Sequence, residues 1–196
     1  DDKSDYGEEV ATLVAAGGDA VAIFGYEGPG SNAIIKGSID SGGFDIFILS
    51  DEMIGNSVMD FFGDDLNKSF GLLPGSKGKG ASLFSELTKT VGIDSSGPYT
   101  GESYDAAAVI VLAIQAGRSS DSNSIQKNLI DVTNSPGIKI YPGELKKALN
   151  LLAEGKKINY EGATELEFSD IGEALGSFLE KEIYKGKFET IKQRWY

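Results

Sequence analysis

The sequence predicts an α/β protein built on parallel sheets with flanking helices. Two observations support this class. In the first third of the chain, segments with helical spacing of apolar residues alternate with short apolar runs, of which the first and third end at glycine or proline. Runs such as Phe44 to Leu49 are apolar with few interruptions, which is typical of strands buried in a parallel sheet.

The elements of the first third follow from this pattern in order. They are a helix over 8–16, a strand over 20–24, a helix from 27 to about 39, a strand over 44–49, a helix beginning near 56 and a strand over 70–73. Gly17-Gly18 and Gly42-Gly43 close the first two helices, since glycine readily ends a helix.

The rest of the chain predicts further helices and one strand pair. A Gly/Lys/Ser-rich connection at 76–80 precedes helices through 83–87, 106–114, 125–132 and 145–152, and residues 177–191 alternate as a hairpin does. The segment Ala106 to Ile114 is apolar on every side of a helix, so we expect it to be packed on several faces.

Composition excludes several function classes. The net charge is −12, from 30 acidic and 18 basic residues, so binding to nucleic acid or to an anionic membrane surface is not expected. The absence of cysteine and histidine removes thiol or imidazole catalysis and zinc–thiolate sites. The run at 119–124 lacks the spacing of a calcium loop, and we predict neither a metal nor a cofactor.

Two predicted strand ends carry candidate binding residues. Ligands of open parallel sheets bind beyond the carboxyl ends of the strands. Tyr26, in a Gly/Pro-rich turn, offers an aromatic face with a polar tip, and a plain surface turn is an equally good interpretation. Asp51 and Glu52 follow the next strand, where an acid can pair with an ammonium group or simply face water.

A third candidate lies at the start of the apolar helix. Tyr99 and Glu102 belong to a polar turn that leads directly into it, and a plain loop before a core helix is the alternative. The acidic pair Asp51-Glu52 also permits a carboxylate-dependent hydrolase, although nothing else in the sequence indicates a reaction. The chain is therefore not predicted to be an enzyme.

Several motifs resemble one family in their order along the chain. They are Asp2-Lys3-Ser4-Asp5-Tyr6, Ala16-Gly17-Gly18-Asp19-Ala20, Gly71-Leu72-Leu73-Pro74-Gly75, Tyr104-Asp105-Ala106-Ala107, Tyr141-Pro142-Gly143-Glu144-Leu145, Asn159-Tyr160-Glu161-Gly162-Ala163-Thr164 with Glu167-Phe168, and Gly186-Lys187-Phe188-Glu189. Together they resemble the C-terminal half of the branched-chain amino-acid (Leu/Ile/Val) type of periplasmic substrate-binding proteins, which feed ABC importers.

The resemblance implies a fold and a domain organisation. The type I periplasmic-binding-protein-like fold has two lobes joined by crossovers, and closure of the lobes traps a ligand between them. Residues 1–74 would belong to the second lobe, 75–171 to the first lobe, and 172–196 would return to the second. The N-terminal part of the family's chain would be missing, so we expect exposed apolar sheet edges and either self-association or a complementary N-terminal fragment.

The resemblance also implies a site and a role. Tyr26 and Asp51 look like the family's ligand-holding aromatic and acid, and Tyr99 looks like an aromatic that lines the cleft, with Glu102 beside it. Glu52 and Glu165 stand where relatives often have glycine. The implied protein is a periplasmic, non-catalytic receptor that binds an amino acid or similar zwitterion and meets an ABC permease in the membrane. A sensory module of the same fold is the alternative.

Overall fold

The computed structural model describes residues 3, 5–75, 78–95, 97 and 99–195, except for the Trp195 side chain. Predictions that involve Asp1, Asp2, Ser4, Ser76, Lys77, Pro98 or Tyr196 lie outside the described residues. The described residues form two compact units: the first runs up to Leu73 and includes Phe178–Arg194, and the second contains Pro74–Ser177 with Trp195.

The first unit alternates helices and strands as its sequence predicts. Its elements are α1 (Gly7–Ala16), β1 (Val21–Ile23), α2 (Pro29–Asp40), β2 (Phe47–Leu49), α3 (Asn56–Phe62), β3 (Phe70–Pro74), β8 (Ser177–Tyr184) and β9 (Lys187–Trp195), with short 3-10 turns at Asp51–Met53 and Gly63–Leu66. Strands β3, β8 and β9 each extend across the boundary to the second unit by one residue, at Pro74, Ser177 and Trp195.

One sheet organises these strands in the order β1-β2-β3-β8-β9. The pairs β1–β2 and β2–β3 are parallel, while the backbone bonds between residues 68–75 and 177–183 make β3 and β8 antiparallel. Strands β8 and β9 follow one another around Lys185-Gly186, which confirms the strand pair predicted at 177–191. The sheet is therefore mixed and mostly parallel.

The two faces of this sheet differ in burial. Val21, Phe47 and Leu49 face a core cluster that Ile35 of α2 and Val58 of α3 complete. On the opposite face, the register aligns Ala22, Ile48 and Phe70, with Leu72 two residues further along β3. Phe70 is 36% exposed and Leu72 is 45% exposed, so this face presents apolar side chains to solvent.

The second unit is mainly helical. It contains α4 (Lys79–Thr90), α5 (Thr100–Gly117), α6 (Ser122–Thr133), β4 (Ile138–Ile140), α7 (Leu145–Ala153), β5 (Ile158–Tyr160), β6 (Glu167–Phe168) and β7 (Ala174–Leu175). Strands β4 and β5 are parallel, and β6 and β7 form an antiparallel pair. Helices α6 and α7 contribute Val132 and Ala148 to a core shared with α5.

The expectation that the helix over 106–114 is packed on several faces is wrong. Helix α5 buries Ala108, Val109 and Leu112 against the core, whereas Ile110 is 47% exposed and Val111 is 41% exposed. The core of this unit lies on one side of α5, so its apolar residues on the other side meet solvent. Among the described residues, no helix is both long and apolar enough to cross a membrane.

Candidate functional site

The loops that follow β1 and β2 are tied together at the carboxyl edge of the sheet. The backbone N–H of Ser50 donates to the carbonyl oxygen of Ile23 at 3.0 Å. The Ser50 hydroxyl group donates to the carbonyl oxygen of Gly25 at 2.7 Å. Tyr26 and Asp51 are the next residues of the two loops. The structure therefore brings two of the residues predicted for a binding site onto adjoining loops.

The Tyr26 side chain projects from a fixed backbone. Its residue is 75% exposed. Its carbonyl oxygen accepts a hydrogen bond of 2.8 Å from the Ser31 hydroxyl group, near the start of α2. A Cβ atom at Gly25 would lie 2.9 Å from the Ser31 oxygen, so the loop approaches α2 closely at a glycine. The backbone that carries the ring is thus held in place, and the ring surface is accessible.

Asp51 begins the 3-10 turn that follows β2. Its Oδ1 atom accepts a hydrogen bond of 3.0 Å from the backbone N–H of Glu52, and its residue is half-buried. Glu52 itself is exposed, and Met53, which ends the turn, is fully buried. The buried Met53 anchors the turn, so Asp51 is the acid held against the protein and Glu52 is the one turned to solvent.

Strand β3 fixes the far side of this turn through a close contact. A Cβ atom at Gly71 would collide with the carbonyl oxygen of Leu49 and would lie 3.0 Å from Cδ1 of Ile54. Glycine at this position lets β3 lie tightly against the end of β2. The position of Asp51 therefore depends on a packing contact as well as on hydrogen bonds.

The other two predicted site residues lie in the second unit. Tyr99 has a left-handed backbone with φ of 57°, directly before α5. Its carbonyl oxygen accepts a hydrogen bond of 2.9 Å from the backbone N–H of Ser103. Glu102 lies in the first turn of the helix and is half-buried. That Tyr99 and Glu102 share a site with Tyr26 and Asp51 stays a prediction.

The role of Asp105 is one that sequence reasoning missed. This carboxylate is only 1% exposed and lies in the second turn of α5. Its Oδ1 atom accepts hydrogen bonds of 2.8 Å from the Tyr160 hydroxyl group and the Ala163 N–H. Its Oδ2 atom accepts two more, also of 2.8 Å, from the N–H and hydroxyl groups of Thr164. Asp105 therefore fixes the loop after β5 onto α5.

Burial dominates the electrostatics of this network. It raises the pKa of Asp105 above the usual aspartate value, against the opposing effect of the four donors. Burial and the nearby Asp105 carboxylate also raise the pKa of Tyr160. A Cβ atom at Gly162, which has φ of 60°, would collide with the Asp105 carboxylate. The sequence signal for this role was the pair Tyr104-Asp105, but an acid near the start of a helix usually indicates an exposed first turn.

The side chains that could ligate a metal do not form a metal centre in the described part of the chain. Among them, no three carboxylate, imidazole or thiolate groups gather closely enough to hold an ion. The loops after β1 and β2 instead offer one aromatic face and one half-buried carboxylate. Such a pair suits recognition of an organic molecule with a cationic group and an apolar part.

Comparison with solved structures shows the type I periplasmic-binding-protein fold. The leucine-binding protein LivK from Thermotoga maritima is similar with a TM-score of 0.69 and 16% identity, over 98% of this chain and 49% of that one. A solute-binding protein of an ABC transporter from R. palustris, solved with 4-hydroxybenzoate, has a TM-score of 0.60 and 15% identity, over 99% of this chain and 50% of that one.

Comparison with curated proteins gives a shorter match. The chemotactic signal transduction system substrate-binding protein BasB from Halobacterium salinarum is 29% identical over 94 residues, which are 47% of this chain and 23% of that protein. No family model matches the sequence. The chain thus spans about half the length of the solved structures that it resembles, and its match covers less than a quarter of BasB.

Proposed function

We propose that this chain is part of a non-catalytic solute-binding receptor of an ABC importer and works outside the cytoplasm, in the periplasm or its equivalent. The observation that carries the proposal is the hydrogen bond from Ser50 to Gly25, which places Tyr26 and Asp51 on adjoining loops at the carboxyl ends of two parallel strands. The fold adds support, because its neighbours are binding proteins.

The ligand is a small amino acid or a similar zwitterion. Asp51 pairs with its ammonium group, and Tyr26 covers its apolar part. Tyr99 forms a further wall, Glu102 lies beside it, and Glu52 stays at the solvent side of the pocket. The two compact units, divided along the chain at residues 73/74 and 177/178, act as the two lobes and close over the ligand. The membrane permease of the importer is the protein partner.

Two neighbours whose descriptions name different molecules define the competing ligand classes. One neighbour is described as leucine-binding, and another was solved with 4-hydroxybenzoate. Both molecules carry a carboxylate group, but only leucine has an ammonium group. The charge on Asp51 therefore separates the classes, since it favours an ammonium group and disfavours an anion without one.

Calorimetry on the natural protein that contains this chain tests the proposal. We expect heat of binding with at least one amino acid from a panel, and a loss of affinity of about 30-fold or more in Asp51→Asn, since losing one partner of a buried ion pair costs about 2 kcal/mol or more. Asp65→Asn, an exposed acid in the turn after α3, is the matched control and should bind normally. Undiminished affinity in Asp51→Asn would remove the proposed mechanism.

A sensory receptor is a second candidate function. The relative BasB is described as a substrate-binding protein of chemotactic signal transduction. In this role the same site binds the same class of ligand, but the closed form meets a signalling protein instead of a permease. Deletion of the gene distinguishes the two roles: loss of ligand uptake supports transport, and loss of taxis with normal uptake supports sensing.

A further inference from the structure

The turn that contains Asp51 is attached to the loop after β1 at a second point. The hydrogen bonds of Ser50 hold the beginning of the turn. Just beyond its end, Gly55 lies against the carboxylate group of Glu27. A Cβ atom at Gly55 would collide with Oε1 of Glu27 and would lie 3.3 Å from its Cδ atom. The neighbouring loop therefore contacts segment 50–55 at both ends.

The backbone that carries Glu27 is fixed on both sides. The carbonyl oxygen of Tyr26 accepts a hydrogen bond of 2.8 Å from the Ser31 hydroxyl group. The carbonyl oxygen of Gly28 accepts one of 3.0 Å from the backbone N–H of Asn32. Both donors belong to α2, near its start. The Glu27 side chain thus extends toward Gly55 from a backbone that α2 holds in place.

Crowding does not force the Glu27 carboxylate onto Gly55. Glu27 is exposed and also lines a groove of about 690 Å³ between α2 and α3, so its side chain has room to turn away. The contact has an electrostatic reason instead. Helix α3 begins directly after Gly55, which has no side chain with which to cap the helix. A negative charge near the start of a helix is favourable, and Glu27 supplies one from the neighbouring loop.

Segment 50–55 can transmit this contact to Asp51. The backbone N–H of Ile54 donates to the carbonyl oxygen of Asp51 at 3.0 Å, and that of Met53 donates to Ser50 at 3.0 Å. Met53 is fully buried and Ile54 is 7% exposed. The segment is thus short, hydrogen-bonded within itself and anchored in the core. Displacement of Gly55 acts on its neighbour Ile54 and, through the hydrogen bond, on Asp51.

We propose that Glu27 is a positioning residue for Asp51. Its contact with Gly55 keeps the end of segment 50–55 in place, while the bonds of Ser50 keep the beginning in place. Glu27 acts through this segment and does not touch the ligand. The inference rests on the proposed function where it concerns ligand affinity, whereas the contact itself is testable without a ligand.

Hydrogen–deuterium exchange of the natural protein that contains this chain tests the contact. Glu27→Ala should raise the exchange rate of the Ile54 amide about two- to fivefold, which corresponds to the usual value of an acid near a helix start. Gly55→Ala should also raise the rate, because its Cβ atom displaces the carboxylate. In the Glu27→Ala background, Gly55→Ala should have no further effect, since the contact is already lost. An unchanged rate in Glu27→Ala, or independent effects of the two substitutions, would overturn the proposal.

Calorimetry with an amino acid that binds the wild-type protein separates the contact from the charge. Glu27→Asp keeps the charge but is one methylene too short to reach Gly55 in the same way. Glu27→Asp and Glu27→Ala should therefore both weaken binding about threefold. Glu8→Ala is the matched control, because it removes an exposed acid from the first turn of α1, and it should bind normally. Wild-type affinity in either Glu27 variant would overturn the positioning role.

The two experiments fail in different ways. If no amino acid binds the wild-type protein, the proposed function fails, and the exchange rates still decide whether Glu27 holds the turn that contains Asp51. If the wild-type protein binds an amino acid and Asp51→Asn weakens this binding, but the Glu27 variants bind and exchange as the wild type does, only the role of Glu27 is overturned.

Discussion

The hydroxyl group of Ser50 donates a 2.7 Å hydrogen bond to the carbonyl oxygen of Gly25, from which it is 25 residues distant in the chain. Ser50 directly precedes Asp51, and Gly25 directly precedes Tyr26. The bond therefore couples the backbone positions of the two side chains on which the proposed function depends.

Ser50→Ala should loosen this coupling. We expect the free energy of unfolding to fall by about 1 kcal/mol, the usual net value of one hydrogen bond. Urea denaturation measures the change. Ser57→Ala, at an exposed position on α3, should stay within about 0.5 kcal/mol of the wild-type protein. Equal effects of the two substitutions would show that the Ser50 bond has no particular importance.

Gly71→Ala should destabilise the protein through a steric collision. The new Cβ atom would meet the carbonyl oxygen of Leu49 and Cδ1 of Ile54, and displacement of these groups costs about 1–3 kcal/mol. Gly176→Ala is the matched control, because a Cβ atom there would meet nothing within 4 Å. Thermal denaturation of both variants would reveal the difference, and a Gly71→Ala protein as stable as its control would contradict the packing described for β3.

Asp105→Asn should cost about 2–4 kcal/mol at neutral pH. The amide offers one acceptor oxygen, so donors of Thr164 or Ala163 lose their partner, at about 1–3 kcal/mol each. Asp131→Asn, at an exposed position on α6, should be nearly neutral. Urea denaturation of both variants measures the two costs.

The same variant should change the dependence of stability on pH. Because the folded pKa of Asp105 is raised, the folded state keeps a proton that the unfolded state has already lost. The contribution of Asp105 to stability is therefore greatest below the usual aspartate pKa and declines as pH rises through the folded pKa. The stability gap between wild type and Asp105→Asn should narrow with rising pH. A stability gap that widens with rising pH would mean that the four hydrogen bonds lower the pKa of Asp105 by more than burial raises it.

The exposed face of the first-unit sheet should make the chain associate. Phe70 and Leu72 present apolar surface on β3, and water tolerates large patches of this kind poorly. We expect dimers or larger species in light scattering, or capture of a complementary N-terminal fragment, together with binding of the dye ANS. Leu72→Ser should lower ANS binding more than Ile171→Ser, which alters an exposed residue outside this sheet. A compact monomer without ANS binding would contradict this expectation.

The periodicity of apolar residues was sufficient to predict the helices and the strands of the sheet in the first unit. The strands predicted at 20–24, 44–49 and 70–73 are confirmed as β1, β2 and β3. Strands β4 and β5 were missed because a polar residue, Lys139 or Asn159, interrupts each of them, so neither shows the continuous apolar run that marks β1 and β2. The prediction that α5 is packed on several faces was also wrong. An apolar sequence does not show on which sides of a helix other elements pack.

The candidate site was predictable only where it follows from topology. Parallel strands place their carboxyl ends at one edge, so the adjacency of the Tyr26 and Asp51 loops could be expected. The bond between Ser50 and Gly25 and the network around Asp105 join residues 25 and 55 or more positions apart, and no local pattern reveals such pairs. The convergence of Tyr99 with these loops remains a prediction.

Electron density for a bound ligand in a crystal of the natural protein tests the central claim most directly. The account predicts one small molecule with its ammonium group within hydrogen-bonding distance of Asp51 and its apolar part against Tyr26 and Tyr99. A ligand bound elsewhere, or the three side chains pointing to separate surfaces in the ligand complex, would contradict it.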